Sequence, residues 1–208
     1  MPQSFAVPLH GAYAGRTTVA VRHGSSAKTV ILSNMNTNRQ DEWQPLIRAL
    51  NNAGYTAVTY EYPDPETDQW EVLRDVIAYV AGAGDHDVVL IGASRGGVTS
   101  MQVLCRADVG EHVLGVAALS APVSHEDAVF FEQGELEGIP GPKLLMNSDD
   151  DECASGTRAM HEALSEPKEL VFYPGSAHGT ELFLTEPVAS VQKLVSFTDA
   201  VFAGSKNR

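Results

Sequence analysis

The stretch "VVLIGASRGG", Val88–Gly97, decides the fold, because an apolar run passes directly into a serine flanked by glycines. Val88 to Ile91 are apolar without polar alternation, which is typical of a strand buried on both faces of a parallel sheet. The following letters, "GGVTSMQVLC", have the pattern of a helix. The stretch therefore predicts a strand, a tight turn at Ser94 and a helix that begins directly after the turn.

Similar apolar runs recur along the chain, with helical patterns between most of them. The predicted strands are Thr17–Val21, Thr29–Ser33, Thr56–Tyr60, Val88–Gly92, Val113–Leu119, Lys143–Met146 and Glu169–Tyr173. The predicted helices are Trp43–Ala53, Gln69–Ala83, Gly96–Arg106, Ser155–Leu164 and Pro187–Phe202. Strands that alternate with helices predict an α/β fold, in which a doubly wound, mostly parallel sheet is flanked by helices. The first two strands have no helix between them, so an antiparallel edge is possible there.

A length of 208 residues fits a single domain, 1–208, with one sizeable core. No linker rich in proline, glycine or serine divides the chain. The connection Ala121–Pro142 is too short for a cap domain, so we expect no large cap and allow a small helical flap within residues 121–142.

Charge and composition exclude several classes of protein. A formal net charge of −13 disfavours binding to nucleic acid or to an anionic membrane surface. No apolar run approaches the roughly 20 residues of a membrane helix, and the N-terminal residues lack the pattern of a signal peptide. Cys105 and Cys153 are expected to be reduced thiols, so a cytoplasmic location is predicted. No sequence feature indicates an oligomeric state.

The segment Gly92-Ala93-Ser94-Arg95-Gly96 fits the G-x-S-x-G turn of a serine hydrolase, in which the serine is the nucleophile. It also resembles the glycine-rich turn of a short-chain dehydrogenase, which binds a dinucleotide. The dehydrogenase interpretation is disfavoured, because its turn belongs near the N-terminus and no tyrosine here is followed four residues later by a lysine.

A serine hydroxyl attacks a carbonyl only with the help of a base, and the base needs an acid that orients it. In the hydrolase order, both follow the serine in the chain, the acid first. The stretch "KLLMNSDDDECAS" supplies Asp149, Asp150 and Asp151 after a predicted strand. The stretch "LVFYPGSAHGTELF" supplies His178 between the last strand and the last helix. The order of these motifs favours a Ser-His-Asp triad.

These motifs make the chain resemble the α/β-hydrolases, and among them the small, capless proteins similar to dienelactone hydrolase. The resemblance begins at "VILSNMNTNRQDEWQPLIRALNNAGYTAVTYEY", which is similar to the strand, oxyanion loop, helix and next strand of the family. It ends at "SAHGTELF", which matches the histidine loop of the family. It implies that Ser94 is the nucleophile and His178 the general base. Asp151 is the expected acid, because a Gly-x-x-Asp turn is common in the family and Ser148 stands here at the glycine position. Asp150 is the alternative.

The resemblance also implies an oxyanion hole formed by the backbone amide of Arg95 and by a second amide after "VILS". Many relatives have a His-Gly pair there, whereas this chain has Asn34-Met35, so the second donor is either Met35 or Asn36. The Arg95 guanidinium either binds a carboxylate of the substrate, or it faces solvent or pairs with the acidic surface.

The predicted function is therefore cleavage of an ester, thioester or lactone of a small molecule through an acyl-enzyme on Ser94. No cofactor is required. The remaining histidines lack the spacing of metal ligands, so no metal site is proposed; they are His10, His23, His86, His112, His125 and His161. A second possibility is a non-catalytic binding protein with the same fold.

Overall fold

The computed structural model describes residues 1–63, 69–84 and 87–205. Its strands are β1 Gln3–Pro8, β2 Thr17–His23, β3 Thr29–Ser33, β4 Thr56–Tyr60, β5 Val88–Ala93, β6 Val113–Leu119, β7 Ser124–His125, β8 Ala128–Val129, β9 Lys143–Ser148 and β10 Lys168–Tyr173. Its α-helices are α1 Gln44–Asn52, α2 Trp70–Gly82, α3 Arg95–Arg106, α4 Ala154–Ala163, α5 Leu182–Thr185 and α6 Pro187–Ser205. His86, one of the histidines named above, lies outside the described residues.

Eight of these strands form one sheet in the order β1-β2-β4-β3-β5-β6-β9-β10. From β4 to β10 all neighbours are parallel, as the sequence predicts. The antiparallel edge differs from the expected one. Strand β2 pairs antiparallel with β1 and β4 rather than with β3. The pattern did not reveal β1, because an edge strand with one covered face lacks the continuous apolar run of a central strand.

The buried apolar residues form two clusters, one on each face of the sheet. Helices α2, α3 and α4 contribute to one cluster, and α1, α5 and α6 contribute to the other. Successive residues of a strand point to opposite faces, so Leu90 belongs to the first cluster and Ile91 to the second. This explains why β5 is apolar throughout: both of its faces are covered by helices.

The segment between β6 and β9 contains the hairpin β7–β8 and a 3-10 helix at Glu135–Gly138 rather than an α-helix. The exposed strands of this hairpin are two residues long each, which is too short to leave a periodic signal in the sequence. No helix in the described parts of the chain is long and apolar enough to cross a membrane.

The parallel pairing places the carboxyl ends of β3, β5, β6, β9 and β10 at the same edge of the sheet. The loops that follow these strands therefore meet there, where open α/β sheets commonly bind their ligands. The candidate site is assembled from these loops.

Candidate active site

Ser94 occupies the turn between β5 and α3 in a strained backbone conformation, with φ 51° and ψ −116°. A non-glycine residue in such a region costs about 1–3 kcal/mol and persists only where its surroundings enforce it. Helix α3 begins at the next residue, Arg95. The turn thus places the Ser94 side chain at the N-terminal end of a helix, where the macrodipole favours negative charge.

The two glycines of the motif are required by close packing. A Cβ on Gly92 would collide with the backbone of Gly96, and a Cβ on Gly96 would collide with the backbone of Ser33 and Asn34. Ser33 ends β3 and Asn34 begins the predicted oxyanion loop. The glycines therefore let α3 approach both its own strand and that loop.

Asp151 and His178 are in direct contact. The Nδ1 atom of His178 lies 3.0 Å from each carboxylate oxygen of Asp151, although the residues are 27 positions apart. The Asp151 side chain is 2% exposed and that of His178 is 27% exposed. Oδ1 of Asp151 also accepts a hydrogen bond from the backbone N–H of Cys153, at 3.2 Å. The buried carboxylate is thereby fixed against the imidazole.

The other two aspartates of the acidic run are exposed. Asp149 forms an ion pair with Arg158, at 3.1 Å. Asp150 donates its backbone N–H to the carbonyl of Gly175, at 2.9 Å. Of the three candidates for the acid, the structure brings only the Asp151 carboxylate to His178.

Two sets of hydrogen bonds hold the loop that contains His178. The first is local: the N–H of His178 donates to the Glu181 carboxylate at 3.0 Å, and the N–H of Glu181 donates to the carbonyl of His178 at 3.1 Å. The bond from the His178 N–H to the Glu181 carboxylate is the half of a capping box in which the N3 glutamate reaches back to the N-cap amide. The glutamate three residues after the histidine is the signal in the sequence that could have indicated it.

The second set is a buried polar chain that reaches the loop from the sheet. The N–H of Gly179 donates to Ser120 Oγ at 2.9 Å, and the Ser120 hydroxyl donates to Asn147 Oδ1 at 2.6 Å. Asn147 Nδ2 donates to Thr157 Oγ1 at 3.0 Å, and Thr157 donates to the carbonyl of Ala121 at 3.1 Å. The chain joins the ends of β6 and β9, helix α4 and the histidine loop. None of its side chains was predicted from the sequence.

Asn34 anchors the predicted oxyanion loop through its side chain. Its Nδ2 donates to the carbonyl of Tyr60 at 2.7 Å, and its Oδ1 accepts from Trp43 Nε1 at 3.0 Å. The hydroxyl of Tyr62 donates to the backbone carbonyl of Asn34 at 2.5 Å. Position 34 thus fixes the loop backbone. Of the two candidate donors that follow, Met35 is buried and Asn36 lines a cavity.

That cavity has a volume of about 380 Å³ and opens between the loops. Ser94 and His178 both line it, together with Asn36, Gln69, Arg95, Val98, Thr99, Gln102, Pro122, His125, Phe130, Glu152 and Cys153. Among the described residues, no hydrogen bond joins the Ser94 hydroxyl to His178. Catalytic hydrogen bonds are often long in the free state of an enzyme and shorten with substrate.

Arg95 contributes more than a backbone amide to this region. Its guanidinium lies 5.6 Å from the centre of the Tyr62 ring, and the residue lines the cavity. Of the two alternatives that the sequence left for this side chain, the geometry favours a position at the cavity wall over one in open solvent.

Comparisons with known proteins agree with this fold. The sequence profile of the "Alpha/beta hydrolase family" matches residues 9–133 of the chain. No curated protein sequence matches. Among solved structures, the esterase domain of a Rhodothermus marinus protein superposes with a TM-score of 0.77 and 15% identity, covering 95% of this chain and 97% of that one.

Two further structures are similar to the chain. An enol-lactonase from Burkholderia xenovorans has a TM-score of 0.73 and 13% identity, covering 87% of this chain and 96% of that one. A proline iminopeptidase from Mycobacterium smegmatis has a TM-score of 0.77 and 12% identity, covering 98% of this chain and 100% of that one. At such identities the likeness shows the fold alone: a mostly parallel sheet flanked by helices, without a cap.

Proposed function

Because this chain belongs to the α/β-hydrolase family, we propose that it is a serine hydrolase that forms an acyl-enzyme on Ser94. The observation that carries the proposal is the contact between His178 Nδ1 and the buried carboxylate of Asp151, on a cavity that is also lined by Ser94 in a strained turn. A histidine oriented by a buried acid beside a helix-terminal serine is the arrangement that nucleophilic catalysis requires.

In the proposed mechanism, Nε2 of His178 accepts the Ser94 proton as Oγ attacks the substrate carbonyl. Asp151 accepts a hydrogen bond from Nδ1–H, so it keeps the proton on Nδ1 and leaves Nε2 as the acceptor. His178 then returns the proton to the leaving group, and water hydrolyses the acyl-enzyme with the same base.

The negative oxygen that develops on the carbonyl needs hydrogen-bond donors that are already in place. We assign the first donor to the backbone N–H of Arg95, which lies at the N-terminal end of α3. The second is the amide of Met35 or Asn36, on the loop that Asn34 holds rigid. Both donors belong to the backbone, so the side chains at 35, 36 and 95 are not required for this role.

The proposed substrates are small esters, thioesters or lactones. A cavity of about 380 Å³ lies at the lower end of the range for small-molecule sites. Its apolar wall comes from Val98, Pro122 and Phe130, which suit a short acyl or alcohol group. Similarity to dienelactone hydrolase, inferred above from the sequence motifs, favours a lactone among these classes.

A fluorophosphonate probe tests the nucleophile directly, because it phosphonylates an activated serine. We expect the wild-type protein to be labelled and Ser94→Ala to remain unlabelled. Ser120→Ala is the matched control, because Ser120 has the same φ of 51° but is fully buried. Labelling of Ser94→Ala, or none of the wild type, would refute the proposal and favour a non-catalytic binding protein.

A substrate panel then separates the proposed classes. It comprises p-nitrophenyl esters of increasing acyl length, a dienelactone and an acyl thioester. We expect turnover of the shorter esters and a decline as the acyl chain outgrows the cavity. Labelled protein that turns over none of these compounds would exclude the proposed substrates while keeping Ser94 as the nucleophile.

A further inference from the structure

A third potential ligand atom lies beside the Asp151–His178 pair. Asp151, Cys153 and His178 each offer one ligand atom, and these atoms all lie within 4.8 Å of one another. Asp151 and Cys153 are buried, and Cys153 and His178 line the cavity. The cluster is not visible in the sequence, because His178 stands 25 positions after Cys153 and no pair of ligands has the spacing of a metal motif.

The chemistry of the three groups matches a thiophilic divalent cation. Zn²⁺ binds thiolate, imidazole and carboxylate ligands at about 2.0–2.3 Å, commonly with three protein ligands and a water in the fourth position. Bonds of that length separate neighbouring ligand atoms by roughly 3.3–3.8 Å. The 3.0 Å between His178 Nδ1 and the Asp151 carboxylate therefore lengthens slightly on binding, and the distances to Cys153 Sγ, which are at most 4.8 Å, shorten by no more than about 1.5 Å. The cavity gives the fourth position access to solvent.

We propose that Asp151, Cys153 and His178 form an inhibitory site for Zn²⁺ or a similar soft divalent cation. The ligands are a carboxylate oxygen of Asp151, Sγ of Cys153 and Nδ1 of His178. Binding of the cation is independent of the function proposed above, whereas the inhibition rests on it.

The inhibition follows from the position of one proton. A cation on Nδ1 displaces the proton that Asp151 holds there, and in the neutral ring this proton moves to Nε2. Nε2 is then a donor and cannot accept the proton of Ser94. The Cys153 thiol loses its proton to solvent as the metal–sulfur bond forms. One proton is thus released for each cation bound, and no oxidant or reductant takes part.

Two electrostatic effects oppose each other at this site. Burial, with a smaller contribution from Asp151 and Glu152, raises the pKa of the Cys153 thiol to about 11, so displacement of its proton costs affinity. The same carboxylates attract a divalent cation.

Cys105 provides a matched control. It is the only other cysteine in the chain, lies on α3 and donates its Sγ hydrogen to the carbonyl of Glu135, at 3.3 Å. It is not among the residues that line the cavity. Cys105→Ser therefore removes a thiol of the same protein without touching the proposed ligands.

The first experiment is a titration of the apo protein with Co²⁺, followed by absorption spectroscopy. We expect a thiolate-to-cobalt charge-transfer band that saturates at one ion per chain in the wild type and in Cys105→Ser. The band should be absent in Cys153→Ser and in Cys153→Ala, whose folding is checked by circular dichroism. Absence of the band in the wild type, or its presence in both folded Cys153 variants, would overturn the site.

The second experiment measures ester hydrolysis against Zn²⁺ concentration, relative to the metal-free rate of each variant. Loss of an outer-shell partner alone weakens metal binding by about 10- to 100-fold, so loss of the thiolate ligand in Cys153→Ser should raise the half-inhibitory concentration by at least about that factor. We expect no change in Cys105→Ser and full recovery after addition of a chelator. Equal sensitivity of the two variants would contradict the proposal. If the protein has no esterase activity, the cobalt band still tests the site, so the two proposals fail separately.

Discussion

Ser94 and Ser120 share a positive φ and a position directly after a strand, but their surroundings differ. Each has a φ of 51° and directly follows a strand of the parallel sheet, Ser94 after β5 and Ser120 after β6. Each donates its N–H to the end of the next strand, Ser94 to the carbonyl of Leu119 at 2.7 Å and Ser120 to that of Met146 at 2.8 Å. A positive φ therefore does not distinguish the two serines.

The side chains distinguish them. Ser120 is fully buried, and its hydroxyl both accepts from Gly179 and donates to Asn147. Ser94 lines the cavity, and its hydroxyl makes no hydrogen bond to any residue that the structure describes. A serine with positive φ is thus a candidate nucleophile only where its hydroxyl is accessible and makes no other hydrogen bond. At Ser120 the same φ accompanies a hydroxyl that belongs to a buried structural network.

The largest expected effect tests Ser94, the proposed nucleophile of this comparison. Ser94→Ala and His178→Ala should each lower kcat for a p-nitrophenyl ester by about four to six orders of magnitude, because the two residues act as one unit. The double variant should be no slower than either single variant. Steady-state kinetics of the three proteins measures this, and near-normal activity of His178→Ala would remove the proposed triad.

The next effect distinguishes Asp151, the proposed acid, from the neighbouring Asp150. Asp151→Asn should lower kcat by about 10⁴-fold, because an amide at that position stabilises the wrong tautomer of the histidine. The control is Asp150→Asn, whose side chain is exposed, and we expect its rate to stay within about threefold of the wild type. A larger loss of kcat in Asp150→Asn than in Asp151→Asn would identify Asp150 as the acid instead.

Substitution of Ser120 should lower the free energy of unfolding more clearly than it lowers the catalytic rate. Ser120→Ala leaves the buried N–H of Gly179 without its acceptor, which costs about 1–3 kcal/mol of the free energy of unfolding. We expect kcat to fall by only about tenfold, through a less well-fixed histidine loop. Urea denaturation and kinetics test this together. A larger loss of stability in Ser94→Ala than in Ser120→Ala would contradict the structural role assigned to Ser120.

The sequence predicts those parts of the molecule whose signals are local. The apolar runs of β3 and β5 identify buried strands, because each face of these strands meets helices. The turn at Ser94 can be recognised because its close packing requires the flanking glycines. The loop of His178 can be recognised because it follows the last strand, in the order that the hydrolase motifs have.

The remaining parts depend on pairings that only the tertiary structure creates. Ser120, Asn147 and Thr157 are ordinary polar residues in the sequence, and their network arises because three chain segments meet at one edge of the sheet. Cys153 lines the cavity because α4 begins beside the end of β9. Strand β1 is hidden for a different reason: at a sheet edge, half-exposed residues do not need the apolar pattern of the core.

The smallest expected effect concerns Arg95, the residue that follows the proposed nucleophile. Arg95→Ala keeps the backbone amide assigned to the oxyanion hole, so the rate for a neutral ester should stay within about fivefold of the wild type. A guanidinium at the cavity wall can form hydrogen bonds to a carboxylate, and one such bond to a charged group is worth about 1.5–3 kcal/mol. We therefore expect kcat/KM for a carboxylated ester to fall by a further 10- to 100-fold. Parallel kinetics with matched neutral and carboxylated esters decides the point, since equal losses on both would leave the side chain with no part in substrate binding.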